Sequence, residues 1–350
     1  MANPVVKLRQ TNNKQLRQHH ASSRAREPLK ISARQQAQLL WEQNRLSDRD
    51  INLIRGFIAV GMLTRHQIQR IFFRDHEKMA ANRLARLYHQ HFLDRTLAWG
   101  DEMRAMGLPP CYIYTASRVG MEAYSLCTGT PYQQVPFSRE RYLLTRQNHK
   151  MLHDLQISEM FTRLQVGMQA LGWEMTWFNE WAAILRQEEE ELVRPDGVAI
   201  LERPSEQAEW GYFIEMDRGN TDWRKKLTFY ERAYHRSPWR QVLQVAQYPT
   251  VLCVVPETVQ AEVIQVVREK RPTTRYLLKS WERFLGTDSL SGWLEPVVGT
   301  DTDLMVESRP MPGGRLWVIS VGNVYGYSLW AAHSVSIACP WHFFQREDRP

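Results

Sequence analysis

The spacing of hydrophobic positions changes several times along this chain, and each change marks an element. From Leu46 apolar residues recur at helical spacing. Ile51, Ile54 and Ile58 share one face, Ser47 stands where a cap is needed, and Gly61 ends the run. Thr64 caps a second, shorter helix, T-R-H-Q-I-Q-R-I-F-F. After the loop F-R-D-H-E a third helix is predicted over residues 78–91. In it Leu84, Leu87 and Tyr88 share a face with Ala80, whereas Lys78, Asn82, Arg86 and His89 fall opposite. Strand-like runs at 92–99 and 111–116 flank a flexible segment, and R-V-G-M-E opens another short helix. Residues 128–138, with Pro131 and Pro136 and no period, read as a linker.

Beyond the linker, residues 139–171 return to a helical stripe of Leu152, Leu155, Met160, Leu164 and Met168, along which His149, His153 and Glu159 lie. Gly172 stops it. A strand is predicted at 173–178 and a helix at 179–191, whose closing acidic run, 188–191, suits a solvated face or a turn. Two apolar runs, 198–201 and 212–214, are separated by R-P-S-E-Q-A-E and read as a hairpin. A helix over 221–235 turns Leu227 and Tyr230 inward. The wholly apolar run 251–255 suits a central strand covered on both faces. The remainder reads as a helix (257–270), a short strand (276–278), a polar loop (285–292) and strands near 293–298 and 316–321, with a hairpin at 312–315. His333 and His342 are assigned ordinary polar or core roles.

Composition narrows the class. A chain of 350 residues with 43 % hydrophobic and 11 % aromatic content accommodates two or three domains with real cores. No apolar run is long enough to span a membrane, and the basic N-terminus lacks the apolar centre of a secretory signal. Cys111, Cys127, Cys253 and Cys339 form no C-x-x-C pair, which argues against a disulfide framework or zinc ribbon and fits a reducing, cytoplasmic setting. Cys253, inside an apolar run, reads as a buried thiol. The net charge of +7 favours a nucleic-acid partner. Residues 1–35 carry eight Lys/Arg against the single acid Glu27, so residues 1–45 are expected to form a basic, disordered arm, either solvated or contacting phosphates.

Two constellations carry chemistry. Residues 46–127 have the helix-helix-helix-strand-loop-strand order of a winged helix-turn-helix. Its third helix would present Lys78, Asn82, Arg86 and His89 to duplex DNA, with Arg83, Arg74 and the loop residue Arg104 as further contacts. Arg and Asn pair bidentately with guanine and adenine edges. The second constellation is R-P-D-G before one strand and I-E-M-D-R-G-N-T after the next. Asp196, Glu215 and Asp217 are placed to converge at one sheet end as metal ligands, with Lys225 or Lys226 reaching back from the next helix and Glu159 adding a further acid. Carboxylates so placed bind Mg²⁺ or Mn²⁺, which would activate water at a phosphodiester while the lysine stabilises developing charge. The competing reading has Asp196 and Asp217 capping turns and Glu215 paired with Arg218 or Arg194. No G-x-x-x-x-G-K-[ST] loop supports ATP-driven activity.

The P-D and E-x-D placement resembles the PD-(D/E)xK nuclease-like fold, with Asp217 where that pattern has lysine. Residues 46–255 also resemble the replication-relaxation family of plasmid and phage proteins. The likeness is carried by L-T-R-H-Q-I-Q-R-I-F-F, R-L-A-R-L, Y-I-Y-T-A-S-R-V-G, H-D-L-Q-I-S-E-M-F, L-V-R-P-D-G, I-E-M-D-R-G-N-T and K-L-T-F-Y. It implies a winged helix followed by a nuclease-like domain and a role in plasmid replication or in DNA relaxation during mobilisation. The expected fold is therefore α+β or α/β: a winged helix-turn-helix domain (46–127), a linker (128–138), a PD-(D/E)xK-like α/β domain with a mixed central sheet (139–280), and a C-terminal extension packed on it (281–350). The expected function is DNA binding with a degenerate nuclease-like platform. The alternatives are an active metal-dependent nickase and a transcription regulator. Expected partners are double-stranded DNA, plasmid replication or relaxosome proteins and, for a dimeric protein, a second copy of the chain; no membrane partner is expected. A metal is expected only if the site cuts.

Overall fold

The computed structural model describes residues 26–97, 104, 111–135, 137, 148–203, 208–286, 290–296, 304–308 and 317–320. The chain is a mixed α+β protein. Most of the expected basic arm, residues 1–25, lies outside the described residues, as do Cys339, His333, His342 and the 312–315 turn.

The arm ends earlier than residue 45. Ser32 closes a capping box with Gln35, and helix α1 (Ala33–Glu42) buries Ala37 and Leu40. Sequence charge concealed this short apolar stripe. A second capping box, between Ser47 and Asp50, starts α2 (Asp48–Val60). The two-residue strand β1 (Leu63–Thr64) leads into α3 (Arg65–Phe72), capped by Thr64 and Gln67, and then α4 (Glu77–His89). Strands β2 (Leu93–Leu97) and β3 (Tyr112–Ala116) form an antiparallel pair, joined on the far side of β3 by β1 in the order β1-β3-β2. Helix α5 (Arg118–Thr128) packs Gly120 so closely on the Phe92 carbonyl that an added Cβ would lie 2.4 Å from it.

Helix α6 (Asn148–Ala170) opens the second half, followed by β4 (Glu174–Asn179). The helix expected over 179–191 is instead a small hairpin, β5 (Leu185–Gln187) and β6 (Glu190–Val193). The Asn179 side chain accepts the N–H groups of Trp181 and Ala182, turning the chain before a helix can start. The glutamate run crosses the hairpin turn, with Glu188 at φ 52°, where a helix would have crowded its like charges. Strands β7 (Gly197–Arg203) and β8 (Ala208–Met216) pair antiparallel as expected. Helices α7 (Trp223–Arg236) and α8 (Trp239–Leu243), strand β9 (Thr250–Val255), helix α9 (Glu257–Lys270), strand β10 (Tyr276–Ser280) and helix α10 (Trp281–Gly286) follow.

The C-terminal strands β11 (Trp293–Pro296), β12 (Leu304–Ser308) and β13 (Trp317–Ser320) continue this sheet rather than pack upon it. They cover the edge that β10 would otherwise expose. The result is an eight-stranded sheet, β13-β12-β11-β10-β9-β8-β7-β4, parallel across β8-β9-β10 and antiparallel elsewhere.

Strand alternation sorts the core into two layers. Ala199, Leu201, Leu252 and Val254 face a cluster that also holds the α6 stripe and the whole interior of the N-terminal helices. Val198, Ile200, Val251, Cys253 and Val255 face α7 and α9. The first cluster runs without a break from α2 to the sheet, so the N-terminal and sheet domains share one core. No helix among the described residues is long and apolar enough to cross a membrane.

Candidate functional site

The sheet domain gathers its ionisable groups where β7 begins and β8 ends. Gly197 stands opposite Ile214, which sets Asp196 beside the last residues of β8. The glycine is required there, because a Cβ would come within 2.7 Å of the Trp177 ring. The Asp196 backbone N–H donates to the Ile214 carbonyl at 3.0 Å, and its carboxylate accepts the Met216 N–H at 2.8 Å. On one side His153, from α6, brings Nε2 to 3.4 Å of Asp196 Oδ2, while its Nδ1 lies 3.7 Å from Asp154. From the other side of the sheet α7 supplies Lys226 and, one turn on, Tyr230. The Lys226 ammonium is 2.8 Å from Glu215 Oε2, and the Tyr230 hydroxyl donates to Oε1.

Each of these groups is shifted by its surroundings. Burial alone would lower the His153 pKa, but the two flanking aspartates outweigh it and raise it to about 10. Burial raises Asp196, yet the hydrogen bond and charge of His153, the charge of Lys226 and the Met216 N–H hold it below the usual carboxylate range. Burial pushes Glu215 up to about 7 against the pull of Lys226 and Tyr230. Burial disfavours the Lys226 charge, but Glu215 and Asp196 raise its pKa above that of a free lysine. Glu215 and Lys226 thus both hold their protons more firmly than in water, and near neutral pH the cations His153 and Lys226 face Asp196 and an only partly ionised Glu215.

Three expected members stand elsewhere. Asp217 Oδ1 accepts the N–H groups of Gly219, Asn220 and Thr221 and the Thr221 hydroxyl, while Oδ2 accepts the Trp223 indole N–H at 2.7 Å. Both oxygens organise the turn into α7, as the turn-capping alternative holds. Lys225 is exposed and lies over the Phe229 ring. Glu159 sits two turns along α6 from His153, where both its oxygens are bound by Arg70, Arg163 and Gln67. It joins α3 to α6 instead of entering the acid pair. Glu215 pairs with neither Arg218 nor Arg194; Arg194 instead binds Glu191. Among the described residues no three His, Cys, Asp or Glu side chains are grouped to hold a metal ion. The residues present therefore do not make the three-acid cage expected for Mg²⁺ or Mn²⁺.

His153 and Tyr230 were not singled out from sequence as site residues. Tyr230 had a signal in its i,i+4 spacing from Lys226. His153 had none beyond its place on the α6 stripe, because only the fold puts that stripe against Asp196.

In the N-terminal domain Lys78, Asn82, Arg86 and His89 are exposed on α4, and Arg74 and Arg104 are exposed as well. Arg83 is different. Its guanidinium binds both oxygens of buried Asp50 and donates to the Arg45 carbonyl at 2.8 Å, so it ties α4 to α2. Residue spacing alone could not separate it from the outward set.

Residues 58–244, more than half of the chain and the whole span from α3 to the acid pair and α7, match the replication-relaxation family. The chain belongs to that family. No curated protein and no solved structure matches it.

Proposed function

We propose that this protein binds duplex DNA during plasmid replication or relaxation, with α4 as its reading helix and the sheet domain as a nuclease-like platform. The observation that carries the reading is the outward face of α4. Lys78, Asn82, Arg86 and His89 are all exposed, while Ala80, Leu84 and Leu87 are buried beneath them. The order α2, β1, α3, α4, β2, β3 is that of a winged helix, in which the third helix enters the major groove and the strand pair forms the wing. Arg95, stacked between Tyr88 and Tyr112, stiffens the junction of helix and wing. A duplex selected from random sequence tests the reading. Asn82→Ala should lose base preference at one position and weaken binding to the selected duplex roughly tenfold, at about 1–3 kcal/mol per bidentate pair. Equal affinity for every duplex, before and after the substitution, would exclude readout by α4.

A second reading, a Mg²⁺- or Mn²⁺-dependent nickase of the PD-(D/E)xK type, is favoured by one observation: Lys226 reaches Glu215 from α7, as a lysine displaced from the motif would. The internal pairing of Asp196 with His153 and of Glu215 with Lys226 and Tyr230 favours the platform instead. Supercoiled plasmid incubated with either metal separates the two. Nicking that vanishes in Asp196→Ala and Glu215→Ala would establish the nickase; intact plasmid in the presence of bound protein supports the platform.

A further inference from the structure

A second basic feature lies beside α4 and is not part of its outward face. The turn between α1 and α2 and the side of α4 enclose an open groove of about 530 Å³. Gln43, Asn44, Arg45, Arg49, Arg83 and Arg86 line it, and none of its lining residues is acidic. Glu42 and Asp48 flank lining residues in sequence without lining the groove, and Asp50 is buried behind it and spent. Asp50 accepts the Ser47 N–H and hydroxyl, each at 2.7 Å, and the Nε and Nη2 donors of Arg83. Arg83 also donates to the Arg45 carbonyl, so a single internally neutralised arginine fixes the turn, α2 and α4 as one rigid wall.

The other three arginines retain their charge. Among the described residues Arg45, Arg49 and Arg86 form no ion pair with a carboxylate, and all three are exposed. The Arg49 guanidinium rests 5.0 Å from the centre of the Phe73 ring, which holds it in place without consuming its hydrogen-bond donors. Three unpaired guanidinium groups around a groove without acids repel one another unless an anion enters. Their planar donor forks match phosphate oxygens.

We propose that this groove is a phosphodiester clamp, holding the sugar-phosphate backbone that borders the base edges read by α4. The assignment rests on the DNA-binding reading and deepens it. Arg86 belongs both to the outward face of α4 and to the groove, so a strand bordering that helix passes Arg86 and meets Arg45 and Arg49 next. A backbone contact of this kind positions the protein and carries no sequence information.

The test is the salt dependence of binding by the full chain, measured by fluorescence anisotropy on a labelled duplex of mixed sequence. Arg45→Ala/Arg49→Ala removes two phosphate contacts. The slope of log affinity against log salt should fall by about 1.8, so the gap from wild type narrows roughly twelvefold between about 50 and 200 mM salt. Arg45→Lys/Arg49→Lys should restore most of the slope, because a point charge still meets phosphate. A thermal melt of each variant separates loss of contact from loss of fold, and folded Ala variants with an unchanged slope overturn the clamp. Lys78→Ala/Asn82→Ala is run beside them. If that pair weakens binding while the groove variants match wild type, α4 readout stands and the clamp falls. If the wild-type chain binds no duplex at all, the DNA-binding reading fails and the clamp with it.

Discussion

Glu159 is the residue whose removal should reach furthest. Its side chain is almost fully buried, yet it receives charged hydrogen bonds from two helices of different domains. Arg70 of α3 contacts both oxygens at 2.9 and 2.8 Å, Gln67 reaches one at 3.1 Å, and Arg163 of α6 reaches the other at 2.7 Å. Glu159→Ala leaves Gln67 buried without this acceptor and sets two partly buried guanidinium groups against each other. Removing one partner of such a buried network costs about 3–5 kcal/mol. The neighbouring contacts that join the same surfaces, Ser158 to the Met62 carbonyl and Asn179 to the Ile58 carbonyl, contribute about 1 kcal/mol each and cannot replace it. Urea unfolding followed by tryptophan fluorescence should show the wild-type chain unfolding in one transition, because both domains share a core. The variant should show an earlier loss of the N-terminal helices. A double-mutant cycle with Arg70→Ala isolates the pair, with an expected coupling of roughly 1.5–3 kcal/mol. A Glu159→Ala variant that retains one transition and loses less than about 0.5 kcal/mol would refute the clamp between domains.

Two further outcomes concern His153 in the acid cluster and Asp217 in the turn that follows β8. The His153 pKa is raised from 6.5 to about 10, so the stability that its charge supplies is complete below about pH 6.5 and is lost as pH rises through about 10. Because the side chain keeps some exposure, the gain of wild type over His153→Gln should be about 2 kcal/mol at the acid end of that window and should shrink towards its alkaline end. A pH-independent gap between the two proteins in urea titrations would contradict the assignment. Asp217→Ala should cost about 2–4 kcal/mol and lower Trp223 fluorescence anisotropy, since five donors lose their acceptor; Asp217→Asn, which keeps the Oδ1 contacts, should cost less than half of that. Equal costs for the two substitutions would argue against a turn held by this carboxylate.

The elements readable from sequence were those with a single strong period. The 251–255 run had no polar face to place in water, and it sits at the centre of the sheet, buried throughout. The stripe of α6 and the two apolar runs that became β7 and β8 were equally direct. Polar turn chemistry misled where it competed with a period. Asn179 ended an apparent helix by binding its own following backbone, and the Ser32–Gln35 box started α1 inside what read as a basic arm. The acid pair was legible because P-D and I-E mark the ends of adjoining strands. The fate of the other acids was not, since Asp217 and Glu159 differ from Asp196 only in the donors that folding brings to them. The same holds for Arg83 against Arg86: two arginines on one helix, one satisfied by buried Asp50 and one left exposed.

On the proposed DNA-binding reading, the exposed basic face of α4 grips duplex DNA. The most direct measurement of that grip is the affinity of the full chain for a labelled duplex across a salt series, compared with Lys78→Ala/Arg86→Ala. Binding by the wild-type chain should fall steeply with salt, and loss of two cationic contacts should weaken it at low salt and reduce the slope by about 1.8. Equal affinities and equal slopes for the two proteins would contradict the account.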